Sequence, residues 1–144
     1  MDLSRLNSIS PYMVSRLVEC NDEELRNIAD KAAMLALNHT GGIPPQVEDL
    51  RNLSRQEKFG DSRQRSAVEE LANKFDDIYW RTLEETNGPI ETRGNMEAFS
   101  RARALTSAWS CADPEPLQAA LDACYEAIIA VDDADAIQNE IWDQ

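Results

Sequence analysis

Residues 62–85 carry the pattern that most limits what this chain can fold into. The apolar residues of this segment recur at intervals of three and four positions. This spacing places their side chains on one face of an α-helix, because the helix completes a turn in about 3.6 residues. A strand would require alternation with a period of two, which the segment lacks. The segment therefore predicts a long amphipathic helix with its apolar face formed by Ala67, Val68, Leu71, Ala72, Phe75, Ile78, Tyr79 and Leu83.

Helix start signals precede two further periodic segments. Ser10 stands directly before Pro11, which predicts an N-cap followed by proline at the first helical position. Asn21 is followed three residues later by Glu24, the spacing of a capping box. Both signals stand before apolar residues that recur at helical intervals. We therefore expect one helix to begin at Pro11 and a second to begin after Asn21.

Glycine and proline divide the rest of the chain. Residues 41–42 (Gly-Gly) and 87–89 (Asn-Gly-Pro) predict helix ends. Pro45, Asn95 and residues 113–114 (Asp-Pro) predict helix starts, and a last short helix is expected near the C-terminus. No segment shows the sustained alternation of a strand. The prediction is all-α, a single irregular bundle of five to seven helices forming one domain over residues 1–144.

Alanine is concentrated in two of the predicted helices, at residues 98–112 and 119–130. Small side chains allow the axes of two helices to approach each other closely. We therefore expect these two helices to pack directly against each other.

Acidic residues dominate the charge of the protein and its C-terminal part most of all. The net charge is −13, from 27 acidic and 14 basic residues, and no Lys or Arg follows Arg103. Such a field repels nucleic-acid phosphates and anionic lipid, and it attracts basic surfaces. We expect a protein partner with a basic surface and neither nucleic acid nor a membrane; the oligomeric state stays open. The carboxylates beyond Arg103 are Asp113, Glu115, Asp122, Glu126, Asp132, Asp133, Asp135, Glu140 and Asp143.

Cysteine usage and the N-terminal residues indicate the compartment. The three cysteines include no CxxC pair, and Met1 is followed by Asp2 rather than by a basic and then apolar segment. The longest uncharged apolar stretch, residues 127–131, is far too short to span a membrane. We expect a cytoplasmic protein with free thiols.

Residues that could support catalysis are sparse. His39 is the only histidine, so a Ser-His-Asp or Cys-His relay would have to use it, and no GxSxG motif is present to supply the nucleophile. One histidine and three scattered cysteines lack the spacing of a zinc site. The aspartates at 132–135 lack the glycine and glutamate of a calcium-binding loop. We therefore expect no enzyme activity, no metal and no cofactor.

The C-terminal carboxylates suggest a partner-binding surface. Asp122 and Glu126 lie four residues apart and would share one helix face, leaving the apolar positions to the core. The carboxylates at 132–135 would extend this acidic patch, and Trp142 would add an aromatic anchor for a basic partner. The predicted site consists of Asp122, Glu126, Asp132, Asp133, Asp135 and Trp142.

Two other surfaces need an interpretation. Tyr79 and Trp80 are adjacent, so one of them should be partly exposed, and this region with residues 41–61 is the alternative place for a partner site. The basic residues between 51 and 65 are interleaved with acids, which predicts a mixed solvated face rather than a nucleic-acid site. These basic residues are Arg51, Arg55, Lys58, Arg63 and Arg65.

Residues 59–133 resemble a known class of proteins. The segments are FSRARAL at 99–105 and DPEPLQAALDACYEAI at 113–128, with a Gly60-Asp61-x-Arg63 turn before Ala67-Val68-Glu69. They are similar to the alanine-rich helical hairpins of small acidic immunity proteins that accompany bacterial polymorphic toxins. The resemblance implies inhibition of a toxin domain through an acidic face. It assigns no function to single residues.

The leading hypothesis is accordingly an immunity protein that inhibits a cognate bacterial toxin. Three alternatives remain open at this point. The protein could be a nucleic-acid mimic of phage or plasmid origin that uses the same carboxylates in place of phosphates. It could instead be a helical scaffold or oligomeric regulator, or, as the weakest alternative, an enzyme that uses carboxylates.

Overall fold

The computed structural model describes residues 4–85 and 93–142, and these residues form eight α-helices and no strand. The all-α prediction is confirmed, but the predicted number of helices is too small by one. The missed helix has six residues with two apolar side chains, Leu6 and Ile9, which are too few to establish a helical period in the sequence. The helices are α1 (Ser4–Ile9), α2 (Pro11–Leu17), α3 (Asp22–His39), α4 (Pro45–Arg55), α5 (Arg63–Glu85), α6 (Arg93–Ser110), α7 (Pro116–Val131) and α8 (Ala134–Trp142).

The first two predicted helix starts are confirmed by their caps. The side-chain oxygen of Ser10 accepts a hydrogen bond from the backbone N–H of Met13 at 3.2 Å, and Pro11 is the first residue of α2. Asn21 and Glu24 form both hydrogen bonds of the capping box, at 2.8 and 3.0 Å. These bonds satisfy N–H groups that the first turn of a helix cannot pair internally.

The Gly-Gly stop is also confirmed. Helix α3 ends at His39, and Gly41 and Gly42 have φ angles of +130° and +107°. The N–H of Gly42 donates to the carbonyl of Leu37 at 2.7 Å, which closes the end of the helix. Helix α4 then begins at Pro45 as predicted.

Two other predicted starts are wrong. Asn95 is not a cap, because α6 begins at Arg93 and Asn95 is fully buried inside it. Helix α7 begins at Pro116 rather than after Asp113, because a residue before proline avoids the helical region and Glu115 is therefore extended. The carboxylate of Asp113 instead accepts a hydrogen bond from the N–H of Glu115 at 2.9 Å. The predicted stop at residues 87–89 lies outside the described residues.

Helices α3, α6 and α7 pack against one another at the centre of the molecule. The alanine-rich helices α6 and α7 are in direct contact, as predicted, and the buried hydroxyl of Ser107 donates to the carbonyl of Ala123 at 2.7 Å. Such an approach of a side chain to a neighbouring backbone requires small residues at the crossing. Many of the buried residues are alanines on these three helices, among them Ala29, Ala32, Ala33, Ala36, Ala102, Ala104, Ala108, Ala119, Ala120, Ala123, Ala127 and Ala130.

The remaining helices cover this centre. Helix α5 packs along α6, α4 packs on α5, and α8 packs on α3 and α7. Helices α1 and α2 lie against α7, so α7 is surrounded on most of its sides. Among the described residues, none of the helices combines the length and the apolar character that crossing a membrane requires.

Candidate functional site

Three carboxylates are exposed where α7 turns into α8. Asp132 has a φ of +59°, and its N–H donates to the carbonyl of Ile128 at 2.7 Å. The carboxylate of Asp133 accepts a hydrogen bond from the N–H of Ala136 at 3.0 Å, and Asp135 lies in the first turn of α8. Aspartate tolerates the left-handed region and favours the positive end of a helix. The turn therefore presents three negative charges to solvent.

Trp142, at the other end of α8, folds back onto α2. Its ring meets Tyr12 edge to face, with the ring centroids 6.4 Å apart, and the guanidinium of Arg16 lies 4.3 Å from its centroid. Arg16 also donates to the hydroxyl of Tyr12 at 3.1 Å. Trp142 is half-buried, whereas Tyr12 is 52% exposed. Trp142 thus forms an aromatic pair with Tyr12, which lies outside the site predicted from the sequence.

The sequence did not identify Tyr12 as an exposed residue, because two sets of apolar positions in α2 fit a helical period. Tyr12 and Val18 fit a helical spacing with their neighbours, yet both are exposed, and the buried stripe of α2 is Met13, Val14 and Leu17. Those three positions satisfy the same spacing of three and four residues. The pattern alone cannot distinguish the two stripes. The packing of α2 against α1 and α7 determines which one is buried.

The prediction that Glu126 lies on an exposed acidic face is wrong. Glu126 is only 3% exposed, and its carboxylate accepts hydrogen bonds from Arg5 and from Arg103, the latter at 3.2 Å. Arg103 also donates to Asp76 of α5 at 3.0 Å. Helix α1, which the sequence did not reveal, brings Arg5 onto this side of α7. Glu126 therefore belongs to an internal ion-pair network that joins α1, α5, α6 and α7.

Asp122 lies on the same side of α7 as Glu126 and is half-buried. Burial lowers the pKa of Arg5, but the hydrogen bond and charge of Glu126, together with the charge of Asp122, raise it overall. Arg5 also stacks on the ring of Tyr125, 4.1 Å from its centroid. The predicted continuous patch is thus divided: Asp122 and Glu126 interact with Arg5, and of the predicted carboxylates those of the turn are exposed.

Helix α5 presents a second exposed aromatic side chain. Trp80 is 60% exposed and Ile78 is 40% exposed, while Tyr79 packs between Trp80 and Phe99 at centroid distances of 5.2 and 5.1 Å. The prediction that one of the two adjacent aromatics is exposed is confirmed. Beside Ile78 lies an open groove of about 330 Å³ that reaches Arg101.

The basic cluster is only partly the solvated mixed face that was predicted. Arg51 is paired with Asp30 and Glu48, in agreement with the interleaved charges. Arg65, however, is buried at 7% exposure, where its guanidinium stacks 3.8 Å from the ring centroid of Trp109. Its Nε donates to the carbonyl of Trp109 at 3.2 Å, so this arginine fixes α5 onto α6.

Within residues 4–85 and 93–142, no group of three or more His, Cys, Asp and Glu side chains is arranged to hold a metal ion. His39 is exposed at the end of α3. No family model, curated protein or solved structure matches this chain. The resemblance to immunity proteins therefore stays a prediction.

Proposed function

We propose that the protein binds a partner protein with a basic surface through one region of α8 and α2, here named the acidic–aromatic surface. It consists of Tyr12, Asp132, Asp133, Asp135 and Trp142. The observation that carries this proposal is that an aromatic pair, with Tyr12 exposed and Trp142 half-buried, lies at one end of α8 and three exposed carboxylates at the other. From the resemblance to immunity proteins, we infer that the partner is a cytoplasmic toxin domain and that binding inhibits this toxin.

The geometry of α8 supports one continuous surface. Asp135 and Trp142 are seven residues apart and share one side of the helix. Their separation along the axis is about 10 Å, at a rise of about 1.5 Å per residue. An interface of ordinary size spans both ends.

The aromatic pair has the properties of a binding anchor. Tyrosine and tryptophan bury a large area at low cost in conformational entropy, and they dominate the energetics of many interfaces. Contact with Trp142 and the hydrogen bond from Arg16 hold the ring of Tyr12 in place before a partner arrives. Preorganisation of this kind lowers the entropic cost of binding.

The negative charge at the turn is not required by the fold. Asparagine adopts the left-handed region and caps helices as well as aspartate does. Asp132 and Asp133 could therefore be asparagines without loss of the turn. Charge at this place instead favours rapid association with a basic partner, since complementary fields raise association rates.

The same reasoning provides the test. The variant D132N/D133N/D135N removes three charges and preserves the cap and the turn. A matched control, E69Q/E70Q/D77N, removes three charges from exposed positions of α5. Each tagged protein is used to capture partners from the native host, and the partner captured by the unmodified chain is then purified. Association is measured at several salt concentrations, and the partner is expressed in bacteria with and without this protein.

We expect the control to bind like the unmodified chain and the asparagine variant to associate at least about tenfold more slowly at low salt. The captured partner should stop growth when expressed alone and should be harmless together with the unmodified chain. Equal association rates for the two variants would contradict the acidic–aromatic surface. A partner that is harmless by itself would contradict toxin inhibition while leaving the binding surface in place.

A further inference from the structure

A cavity of about 250 Å³ lies between α3, α4 and the C-terminal end of α6. It is apart from the acidic–aromatic surface, which α2 and α8 form. Its apolar walls are Met34 of α3, Val47 and Leu50 of α4, Phe59, and Ala108 of α6. An apolar cavity of about 150 Å³ can hold benzene. This cavity therefore has room for one ring and a short polar arm.

The cavity is lined by three arginines and one aspartate in a protein whose net charge is −13. Arg51 is neutralised, because it forms a two-point pair with Asp30 at 2.9 and 3.0 Å and also donates to Glu48 at 2.8 Å. Of the three lining arginines, Arg26 and Arg55 are therefore the two that donate to groups other than carboxylates, although Asp22, Asp113 and Glu115 lie near Arg26.

Arg26 is held by neutral groups. Its guanidinium donates to the backbone carbonyls of Cys111, Asp113 and Pro114 at 3.1, 2.6 and 2.9 Å. It also stacks on Phe59, 3.6 Å from the ring centroid. Burial lowers the pKa of Arg26, and the nearby carboxylates do not fully compensate. A guanidinium whose charged form is disfavoured by burial is stabilised when an anion approaches it.

Arg55 lies on the exposed side of the cavity. It donates one hydrogen bond, to the side-chain oxygen of Asn52 at 2.6 Å. A guanidinium has five N–H donors in a planar fork that matches a carboxylate, so capacity for a ligand remains. The hydroxyl of Ser54, which also lines the cavity, donates to the carbonyl of Leu50 at 3.3 Å, so the arginines are the donors for a carboxylate.

We propose that this cavity binds a small organic carboxylate with an apolar body, such as a single ring with a short acid arm. The apolar body packs against Met34, Leu50 and Phe59, and the carboxylate faces Arg26 and Arg55. Binding is non-covalent, because burial raises the pKa of the Cys111 thiol and keeps it protonated and unreactive. This ligand site is independent of the partner surface proposed above.

The experiment compares phenylacetate with its neutral isostere phenylacetamide on the full chain. Binding is followed by calorimetry and by the NMR signal of the Met34 methyl group. The test variants are R55Q, which removes a charge at the cavity, and S54L, which fills it. R63Q is the matched control, because Arg63 is exposed and does not line the cavity. Arg26 is left intact because it holds the connection between α6 and α7.

We expect phenylacetate to shift the Met34 signal and the amide to bind at least about tenfold more weakly. R55Q should weaken phenylacetate binding about five- to tenfold, because Arg26 still faces the carboxylate, and R63Q should leave it unchanged, because Arg63 does not line the cavity. S54L should abolish binding. Equal affinities for acid and amide, equal effects of R55Q and R63Q, or unchanged binding to S54L would each overturn the proposal. The proposal would also be overturned if phenylacetate, benzoate and hexanoate all failed to bind at about 10 mM. This concentration is well above the Kd of a weak ligand, about 1 mM.

Discussion

The Nη1 atom of Arg103 lies 3.2 Å from Oε2 of Glu126, and the carboxylate of Glu126 is shared with Arg5. Arg103 reaches Asp76 of α5 with its other terminal nitrogen at 3.0 Å. The two arginines and two carboxylates balance in charge, so a buried carboxylate is tolerated at the centre of the fold. Glu126 thereby ties α7 to α1 and α6, and through Arg103 to α5.

E126Q should destabilise the fold by about 2 kcal/mol. Removing a buried charge leaves both arginines without their shared anion, while their partial exposure keeps the loss below that of a fully buried pair. Urea unfolding gives the free energy. E69Q, at an exposed position of α5, is the control and should change stability by less than about 0.5 kcal/mol. A change in E126Q as small as in E69Q would mean that the network contributes nothing to stability.

The capping box of α3 should also be measurable. N21A removes the side-chain oxygen that accepts from the N–H of Glu24, and we expect a loss of about 1 kcal/mol. The matched control is N73A, an asparagine-to-alanine change at an exposed interior position of α5. There alanine is the better helix former, so N73A should be neutral or slightly stabilising. Equal losses in both variants would show that the cap is not the cause.

The sequence allowed the helix class and several boundaries to be predicted because those depend on local chemistry. The caps at Ser10 and Asn21 and the stop at Gly41 and Gly42 involve residues within one turn of each other. The seven predicted helices are present for the same reason. Pro114 and Pro116 were both possible first residues of α7. The extended conformation of Glu115, which lies between them, makes Pro116 the first residue.

The candidate site was less predictable because it depends on contacts between distant segments. Glu126 looks like a surface residue on α7 until Arg5, 121 positions away, is placed beside it. Tyr12 joins Trp142 only through the packing of α8 on the N-terminal part of the chain. Charge patterns identify an acidic region, but they do not reveal which carboxylates are neutralised by a helix from elsewhere.

Alkaline pH should weaken the fold through Cys124. Burial raises the pKa of its thiol to about 12, whereas an unfolded chain has a thiol pKa of about 8.5. Both states are protonated below the unfolded value. As pH rises from there toward the folded value, only the unfolded state ionises, and stability falls by roughly 1 kcal/mol per pH unit from this group.

C124A removes this contribution, so its stability should fall less steeply between pH 8 and 10.5 than that of the unmodified chain. Urea unfolding in the presence of reductant measures both proteins. Between pH 6.5 and 7.5 the difference between them should stay constant, since neither state of Cys124 ionises there. Parallel losses of stability up to pH 10.5 would show that the buried thiol does not titrate on unfolding.

The two exposed aromatic surfaces should differ in their effect on partner binding. Y12A and W80A both remove a side chain that is more than half exposed, so each should change the free energy of unfolding by less than about 1 kcal/mol. Only Tyr12 belongs to the acidic–aromatic surface, where its ring is held by Trp142. An anchor at the centre of an interface contributes 2 kcal/mol or more. Y12A should therefore weaken the partner complex by at least about tenfold, and W80A should leave its Kd unchanged. Calorimetry with the purified partner measures both variants against the unmodified chain.

The reverse result, with affinity lost in W80A and kept in Y12A, would move the interface to α5 and the groove beside Ile78. Loss in both would require a partner large enough to reach α2 and α5 together, which chemical-shift mapping of the complex would reveal.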